Sequence, residues 1–151
     1  METHSCETLH VVAGSYDGHL VGYQGAPPSS ELSPAFAFGA HAGCVRHLAV
    51  AGPHLVSAST DNTVGVHHLR KKRTYGNLTQ EDGGRAVNCV AFFATTHLLV
   101  GTDDGDISVW RTTDWECLLR MKQHRAPVNH LSIHPSGKLA LSVAADSKLM
   151  L

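Results

Sequence analysis

One pattern recurs four times along this chain of 151 residues. In each copy, small or β-branched residues lead to an Asp, two residues form a turn, and an alternating strand follows. The copies are AGSYDGHLVGY (Ala13–Tyr23), SASTDNTVGVH (Ser57–His67), VGTDDGDISVW (Val100–Trp110) and SVAADSKLML (Ser142–Leu151). Their aspartates, Asp17, Asp61, Asp104 and Asp146, are separated by 44, 43 and 42 residues. Such a repeat predicts similar units that bury their apolar surfaces against one another.

A second marker stands upstream of the aspartates. HAGCV begins at His41 and HRAPV begins at His124, while Gly83 takes the place of the His in GGRAV. Two strand-like runs with alternating and β-branched residues follow each marker, and turn signals separate them. The period fits a four-stranded propeller blade of about 40 to 45 residues.

The sequence therefore predicts an all-β protein, an incomplete β-propeller that does not close into a ring. We expect about three and a half to four antiparallel, four-stranded blades. The predicted repeats cover approximately residues 9–38, 41–79, 83–121 and 124–151, and the last of them is truncated.

The recurring polar residues have a structural interpretation. An Asp carboxylate can accept hydrogen bonds from amides of its own turn and from a His on the loop before the blade. A Ser four residues before the Asp, and a Trp or Tyr six residues after it, can extend this network across three strands. The predicted network residues are Asp17, Tyr23, His41, Ser57, Asp61, Asp104, Trp110, His124, Ser142 and Asp146. His67 stands where Trp110 stands one repeat later, so it too is predicted to be structural.

These motifs resemble the WD-repeat propellers and, more narrowly, the p21-activated protein kinase-interacting protein 1 family. The resemblance is carried by LHVVAGSYDGHLVGYQ (Leu9–Gln24) and most densely by WECLLRMKQHRAPVNHLSIHPSGKLALSV (Trp115–Val143). It implies a nuclear, nucleolar factor in assembly of the large (60S) ribosomal subunit and a negative regulator of p21-activated kinase. The implied partners are the regulatory region of that kinase and pre-60S assembly factors.

Two alternatives stay open from the sequence: a generic WD-repeat signalling adaptor, and a truncated product without independent function. The resemblance implies about seven blades and a lysine-rich carboxyl tail, whereas this sequence stops at Leu151. We therefore expect about half a propeller, with exposed strands and apolar faces at its two ends.

No catalytic, metal or cofactor site is predicted. The 12 histidines show no ligand spacing, and the adjacent pair His67 and His68 would point to opposite faces of a strand. HPSGK at His134–Lys138 lacks the first Gly and the final Ser or Thr of a phosphate loop, so a hairpin turn is the better interpretation. We expect neither an enzyme nor a small-molecule substrate.

Charge and composition limit the partners further. With 12 Lys and Arg against 13 Asp and Glu, no broad basic surface is available to hold a nucleic acid backbone. The sequence shows no signal peptide or membrane span, and its four scattered cysteines indicate reduced thiols, so we expect a soluble intracellular protein. The one basic cluster is Arg70, Lys71, Lys72 and Arg73. It is either a contact patch for nuclear import or phosphate, or an exposed loop kept soluble by its charge.

Overall fold

The computed structural model describes residues 8–26, 31–79 and 85–151. Fourteen strands occur in these segments, and they contain no helix. Consequently, none of the described residues belongs to a helix that could cross a membrane. Gly83, which holds the place of His41 and His124 in the repeat, lies outside the described residues.

The strands form four antiparallel sheets, here called blades 1 to 4, and each sheet follows chain order. Blade 1 contains β1 (Leu9–Gly14), β2 (His19–Gly25) and β3 (Ser33–Gly39). Blade 2 contains β4 (Val45–Ala51), β5 (His54–Ser59), β6 (Thr63–His68) and β7 (Arg73–Thr79). Blade 3 contains β8 (Val87–Phe93), β9 (His97–Thr102), β10 (Asp106–Arg111) and β11 (Glu116–Lys122). Blade 4 contains β12 (Val128–Ile133), β13 (Ala140–Ala144) and β14 (Leu149–Met150).

This arrangement confirms the all-β, incomplete propeller predicted from the period. Two of the sheets have four strands, and blades 1 and 4 have three strands each among the described residues. The last strands of blades 1 and 3 end at Gly39 and Lys122, where Gly39 pairs with His19 and Lys122 pairs with Asp106.

The hydrophobic core lies between the blades. Val56, Ala58 and Val66 of blade 2 pack with Val90 and Leu98 of blade 3 in the largest buried cluster. A second cluster joins blades 3 and 4, and a third joins blades 1 and 2. The cluster between blades 3 and 4 contains Cys89, Ile107, Val128 and Leu131. The cluster between blades 1 and 2 contains Leu20, Leu55 and Leu69. Blades 2 and 3 are thus each buried on both faces. Cys89 lies in the cluster between blades 3 and 4, and this burial raises the pKa of its thiol to about 12.

Glycines three positions before Asp17 and Asp104 let neighbouring blades approach closely. A Cβ atom added at Gly14 would lie 2.5 Å from Cγ1 of Val45, on the first strand of blade 2. One added at Gly101 would lie 2.9 Å from Cγ1 of Val128, on the first strand of blade 4. The small residues of the repeat are therefore a packing requirement between blades.

The residue after each aspartate has a left-handed backbone conformation. The φ angles are +84° at Gly18, +69° at Asn62, +91° at Gly105 and +60° at Ser147. Gly, Asn and Asp tolerate this region best, so Ser147 is the least favourable of the four.

Two of these turns also hold the loop that leads into the next blade. The carbonyl oxygen of Gly18 accepts hydrogen bonds from the amides of Ala40 at 2.9 Å and His41 at 3.1 Å. The carbonyl oxygen of Gly105 accepts one from the amide of His124 at 3.1 Å. The turn of one blade thereby positions the His of the following blade.

One of the register shifts occurs at the same repeat position in each of the first three blades. The pairing of the last two strands shifts between Gly22 and Tyr23, between Val66 and His67, and between Val109 and Trp110. In each blade the shift falls next to the sixth residue after the aspartate. A bulge of this kind redirects a side chain, and the sequence spacing alone does not reveal it.

Replacing Gly105 by Ala should lower the free energy of unfolding by about 2 kcal/mol or more, because the new Cβ combines a strained φ with a clash. That Cβ would lie 2.3 Å from the carbonyl oxygen of His124. Gly39→Ala is the matched control, since the nearest atom to its added Cβ is 3.8 Å away. Thermal unfolding of both variants measures the difference, and equal losses of stability would contradict this account of the turn.

A buried hydrogen-bond network as the candidate functional site

A network of polar side chains connects the loop before blade 2 with strands β5, β6 and β7. His41 Nδ1 lies 3.0 Å from Asp61 Oδ2, and His41 Nε2 lies 2.7 Å from Ser57 Oγ. Ser57 Oγ lies 3.1 Å from His67 Nε2, and His67 Nδ1 lies 3.1 Å from Thr74 Oγ1. The network therefore joins β5, β6 and β7, and it ends on the outer strand at Thr74, a residue that the sequence pattern does not include.

With neutral rings, this network has one consistent direction of hydrogen bonding. An ionised carboxylate only accepts, so His41 donates from Nδ1 to Asp61 and accepts from the hydroxyl of Ser57 at Nε2. Ser57 then accepts from Nε2–H of His67. The other nitrogen of His67 accepts from the hydroxyl of Thr74. Burial is the main cause that lowers the pKa of His67 to about 4, and His41 adds a smaller electrostatic effect.

Asp61 also fixes the backbone around it. Its carboxylate accepts from the amide of Ala42 at 3.0 Å and from the amide of Thr63 at 3.1 Å. The hydroxyl of Thr63 donates to it at 2.7 Å. Burial alone would raise the pKa of Asp61, but the hydrogen bonds from Thr63 and Ala42 outweigh it, and the pKa lies below its ordinary value. One carboxylate thus ties a turn to the loop before the blade.

Blade 4 repeats the inner half of this network. His124 Nδ1 lies 3.2 Å from Asp146 Oδ2, and its Nε2 lies 2.8 Å from Ser142 Oγ. The amides of Arg125 and Lys148 donate to the same carboxylate at 3.2 and 3.1 Å. The six predicted residues of blades 2 and 4, namely His41, Ser57, Asp61, His124, Ser142 and Asp146, are therefore brought together as two trios.

Blade 1 departs from the predicted pattern. Asp17 is exposed, accepts from the hydroxyl of Ser15 and lies 3.3 Å from the ring of the exposed His19. Tyr23 does not join the network, because Ala13 stands where a Ser would be needed and the ring is exposed. The prediction that Tyr23 takes part in a three-strand network is wrong for this blade.

Blade 3 departs in a different way. Val100 occupies the Ser position, and Trp110 Nε1 instead donates at 2.9 Å to Ser108 Oγ, two residues away on its own strand. Asp104 accepts from the hydroxyl of Thr102 at 2.6 Å, while Arg85 Nε lies 3.9 Å from the same carboxylate. Trp110 is buried, but its hydrogen bond does not link it to Asp104.

The trios have the order of groups found in serine hydrolases, Asp to His to Ser, which makes catalysis worth testing against the geometry. Ser57 has 0% of its surface exposed, so its hydroxyl cannot meet a substrate. Gly65 covers it, because a Cβ there would lie 2.7 Å from both Ser57 Oγ and His67 Nε2. That hydroxyl also accepts a hydrogen bond from His67. The arrangement stabilises a blade and offers no accessible nucleophile.

Two further observations concern other chemistry. Among residues 8–26, 31–79 and 85–151, no group of three or more His, Cys, Asp or Glu side chains is placed to hold a metal ion. The basic cluster Arg70–Arg73 lies at the end of the blade opposite Asp61, in and after the turn between β6 and β7. All four of its side chains are exposed.

Comparison with known proteins gives one family and several relatives. A family profile described as "WD domain, G-beta repeat" matches residues 73–111 and 115–151. The chain is 40% identical over 142 residues to "p21-activated protein kinase-interacting protein 1-like" of Gallus gallus, covering 93% of this chain and 38% of that protein. It is 32% identical over 146 residues to "Shk1 kinase-binding protein 15" of Schizosaccharomyces pombe, covering 95% of this chain and 42% of that protein.

A solved structure shares the fold. The computationally designed Ika8 protein superimposes with a TM-score of 0.74 at 23% identity, covering 93% of this chain and 41% of that chain. At this identity the likeness supports the fold alone. The chain spans about two fifths of the length of the curated relatives it matches.

Asp61→Ala should destabilise the chain far more than Asp17→Ala, although both aspartates hold the same place in the repeat. Removal of Asp61 leaves the buried His41 and the amides of Ala42 and Thr63 without their acceptor, at a cost of about 3 kcal/mol. Asp17 is exposed, so its loss should hardly change the free energy of unfolding. Urea unfolding of both variants checks this, and equal destabilisation would show that the network does not stabilise blade 2.

The stability of the chain should fall as pH falls from about 6.5 to about 4, because His67 binds a proton in the unfolded chain before it does so in the folded one. Between these pH values the unfolded state binds more protons than the folded state does. The contribution of His67 to the free energy of unfolding is therefore fully present above about pH 6.5 and is lost as the pH falls towards 4. The change is on the order of 3 kcal/mol.

Replacing His67 by Trp removes this titration while it keeps a ring N–H that can donate to Ser57. The variant should show a weaker pH dependence of urea unfolding in that window, whereas His10→Trp, at an exposed position, should keep the wild-type dependence. A His67→Trp profile identical to wild type would contradict the assignment.

Proposed function

We propose that this chain, which belongs to the WD-repeat family, is a non-catalytic scaffold that binds a kinase of the p21-activated type and opposes its activation. The observation that carries the proposal is the 40% identity over 93% of the chain to a protein named for its interaction with that kinase. A relative named for binding Shk1 kinase supports the same partner class.

The chemistry of the blades agrees with a scaffold. Ser57 and Ser142, the two hydroxyls in Asp–His–Ser trios, are both buried and already hydrogen-bonded. The polar side chains of the repeat are thus used to hold strands and loops in place. Contacts with other proteins then fall to the loops beginning at His41 and His124 and to the turns after the aspartates, where a rigid frame supports exposed residues.

We propose the regulatory region of the kinase as the segment that is bound. We also propose a place in the nucleolus, with pre-60S assembly factors as further partners in assembly of the large ribosomal subunit. The support is the family resemblance carried by Leu9–Gln24 and Trp115–Val143. With a net charge of −1, direct binding to the phosphate backbone of ribosomal RNA is not favoured, so protein contacts would place the chain on the particle.

The immobilised regulatory segment of p21-activated kinase should retain the 151-residue chain, whereas the immobilised kinase domain should not. In gradients of cell extract, part of the tagged chain should sediment with pre-60S particles. Lack of retention by the regulatory segment would overturn the kinase proposal, and a chain found only in the light fractions would overturn the ribosomal one. The two measurements are independent, so one role can fail while the other stands.

A further inference from the structure

A small cavity opens between blades 1 and 2, next to the basic cluster. Its volume is about 240 Å³, and Phe36 and Phe38 of β3 line it together with Leu55 and Leu69 of blade 2. Both phenylalanines are half-buried. Lys72 and Arg73 line the same cavity, and Lys72 Nζ donates at 3.2 Å to the carbonyl oxygen of Ala35 across the gap between the blades. An apolar cavity and a cationic turn therefore form one continuous surface, here called the basic groove.

The carboxylates that the structure describes do not neutralise the charge of this groove. Arg70, Lys71, Lys72 and Arg73 are adjacent and exposed, and no carboxylate in the described part of the chain forms an ion pair with any of them. Four adjacent positive charges thus stand on a chain whose net charge is −1. Such a local excess attracts an acidic ligand and accelerates its encounter.

The size and lining of the cavity indicate which acidic ligand fits. Pockets for drug-sized molecules measure about 300 to 1,000 Å³, so this one is suited to a single large side chain. Aromatic and aliphatic walls favour an apolar group, which the phosphate backbone of a nucleic acid does not carry. The ligand must therefore combine an apolar side chain with carboxylates close to it.

We propose that the basic groove binds a short acidic peptide segment of a partner protein. One aromatic or large aliphatic side chain enters the space between Phe36 and Leu69, and the flanking carboxylates lie against Lys72 and Arg73. The basic turn of the groove lies at the end of blade 2 opposite Asp61, so the groove adds a second contact surface to the scaffold. This inference rests on the proposed function only in that the chain binds proteins, and it does not depend on which partner is correct.

The test uses the full 151-residue chain and a fluorescein-labelled peptide in which one Phe is flanked on each side by three Glu residues. Fluorescence anisotropy should show binding with a Kd of about 10 to 100 μM at low salt. Ala in place of the Phe in the peptide should weaken binding at least about tenfold, because burial of the ring is lost. Raising the salt from about 0.1 M to about 1 M should also weaken it, since screening shortens the range of the charges.

Arg73→Glu should weaken binding of the peptide roughly tenfold, because an attraction becomes a repulsion. Lys138→Glu is the matched control: it makes the same change of net charge at an exposed turn of blade 4 and should have an effect of less than about twofold. Both positions are exposed, so the variants should fold as the wild type does, which circular dichroism verifies.

Three outcomes would overturn the proposal: no binding to the wild-type chain, equal binding of the Phe and Ala peptides, or equal losses in the two variants. Tighter, Arg73-dependent binding of a single-stranded RNA of similar charge would assign the groove to nucleic acid instead. If the peptide binds while the kinase segment is not retained, the groove stands and the kinase proposal fails alone. If the kinase segment is retained and the peptide does not bind, the kinase proposal stands and the groove proposal fails alone.

Discussion

A four-stranded sheet with two apolar faces can bury both of them only between two other sheets, and the rest of this structure depends on that constraint. The clusters built on Leu55, Leu98 and Val128 all lie between blades. Small residues at Gly14 and Gly101 make the close approach of the blades sterically possible. Stability is therefore shared between neighbours, and each blade relies on the one beside it.

Burial of the blades creates the low-dielectric setting in which the polar network acts. Even a partly buried carboxylate is costly unless hydrogen-bond donors surround it, and Asp61 accepts from the ring of His41 and from nearby amide and hydroxyl donors. The arrangement copies the order of a hydrolytic triad while it encloses the serine. Geometry of the three groups is thus insufficient evidence for catalysis, and access of a substrate to Ser57 decides the question.

The sequence predicted the strands, the aspartate turns and the His41, Ser57 and Asp61 trio, because fixed spacings in a repeat impose fixed positions in a blade. It did not predict Thr74 as the end of the network, since a register shift beside His67 places these two side chains together. The sequence also did not predict that Trp110 Nε1 donates a hydrogen bond to Ser108 Oγ on its own strand. Trp110 does so because Val100, at the Ser position of the repeat, has no hydroxyl to accept that bond. The basic groove escaped prediction for another reason: its aromatic wall and its charges come from different blades.

The hydrogen bonds from Ala40 and His41 to the carbonyl oxygen of Gly18 cross the boundary between blades 1 and 2, and the bond from His124 to Gly105 crosses the boundary between blades 3 and 4. Sliding one blade along its neighbour would stretch these bonds together rather than one after another. The propeller should accordingly resist mechanical shear best at the rim that carries the aspartate turns. A force applied to one aspartate turn would therefore be passed through these bonds to the neighbouring blade.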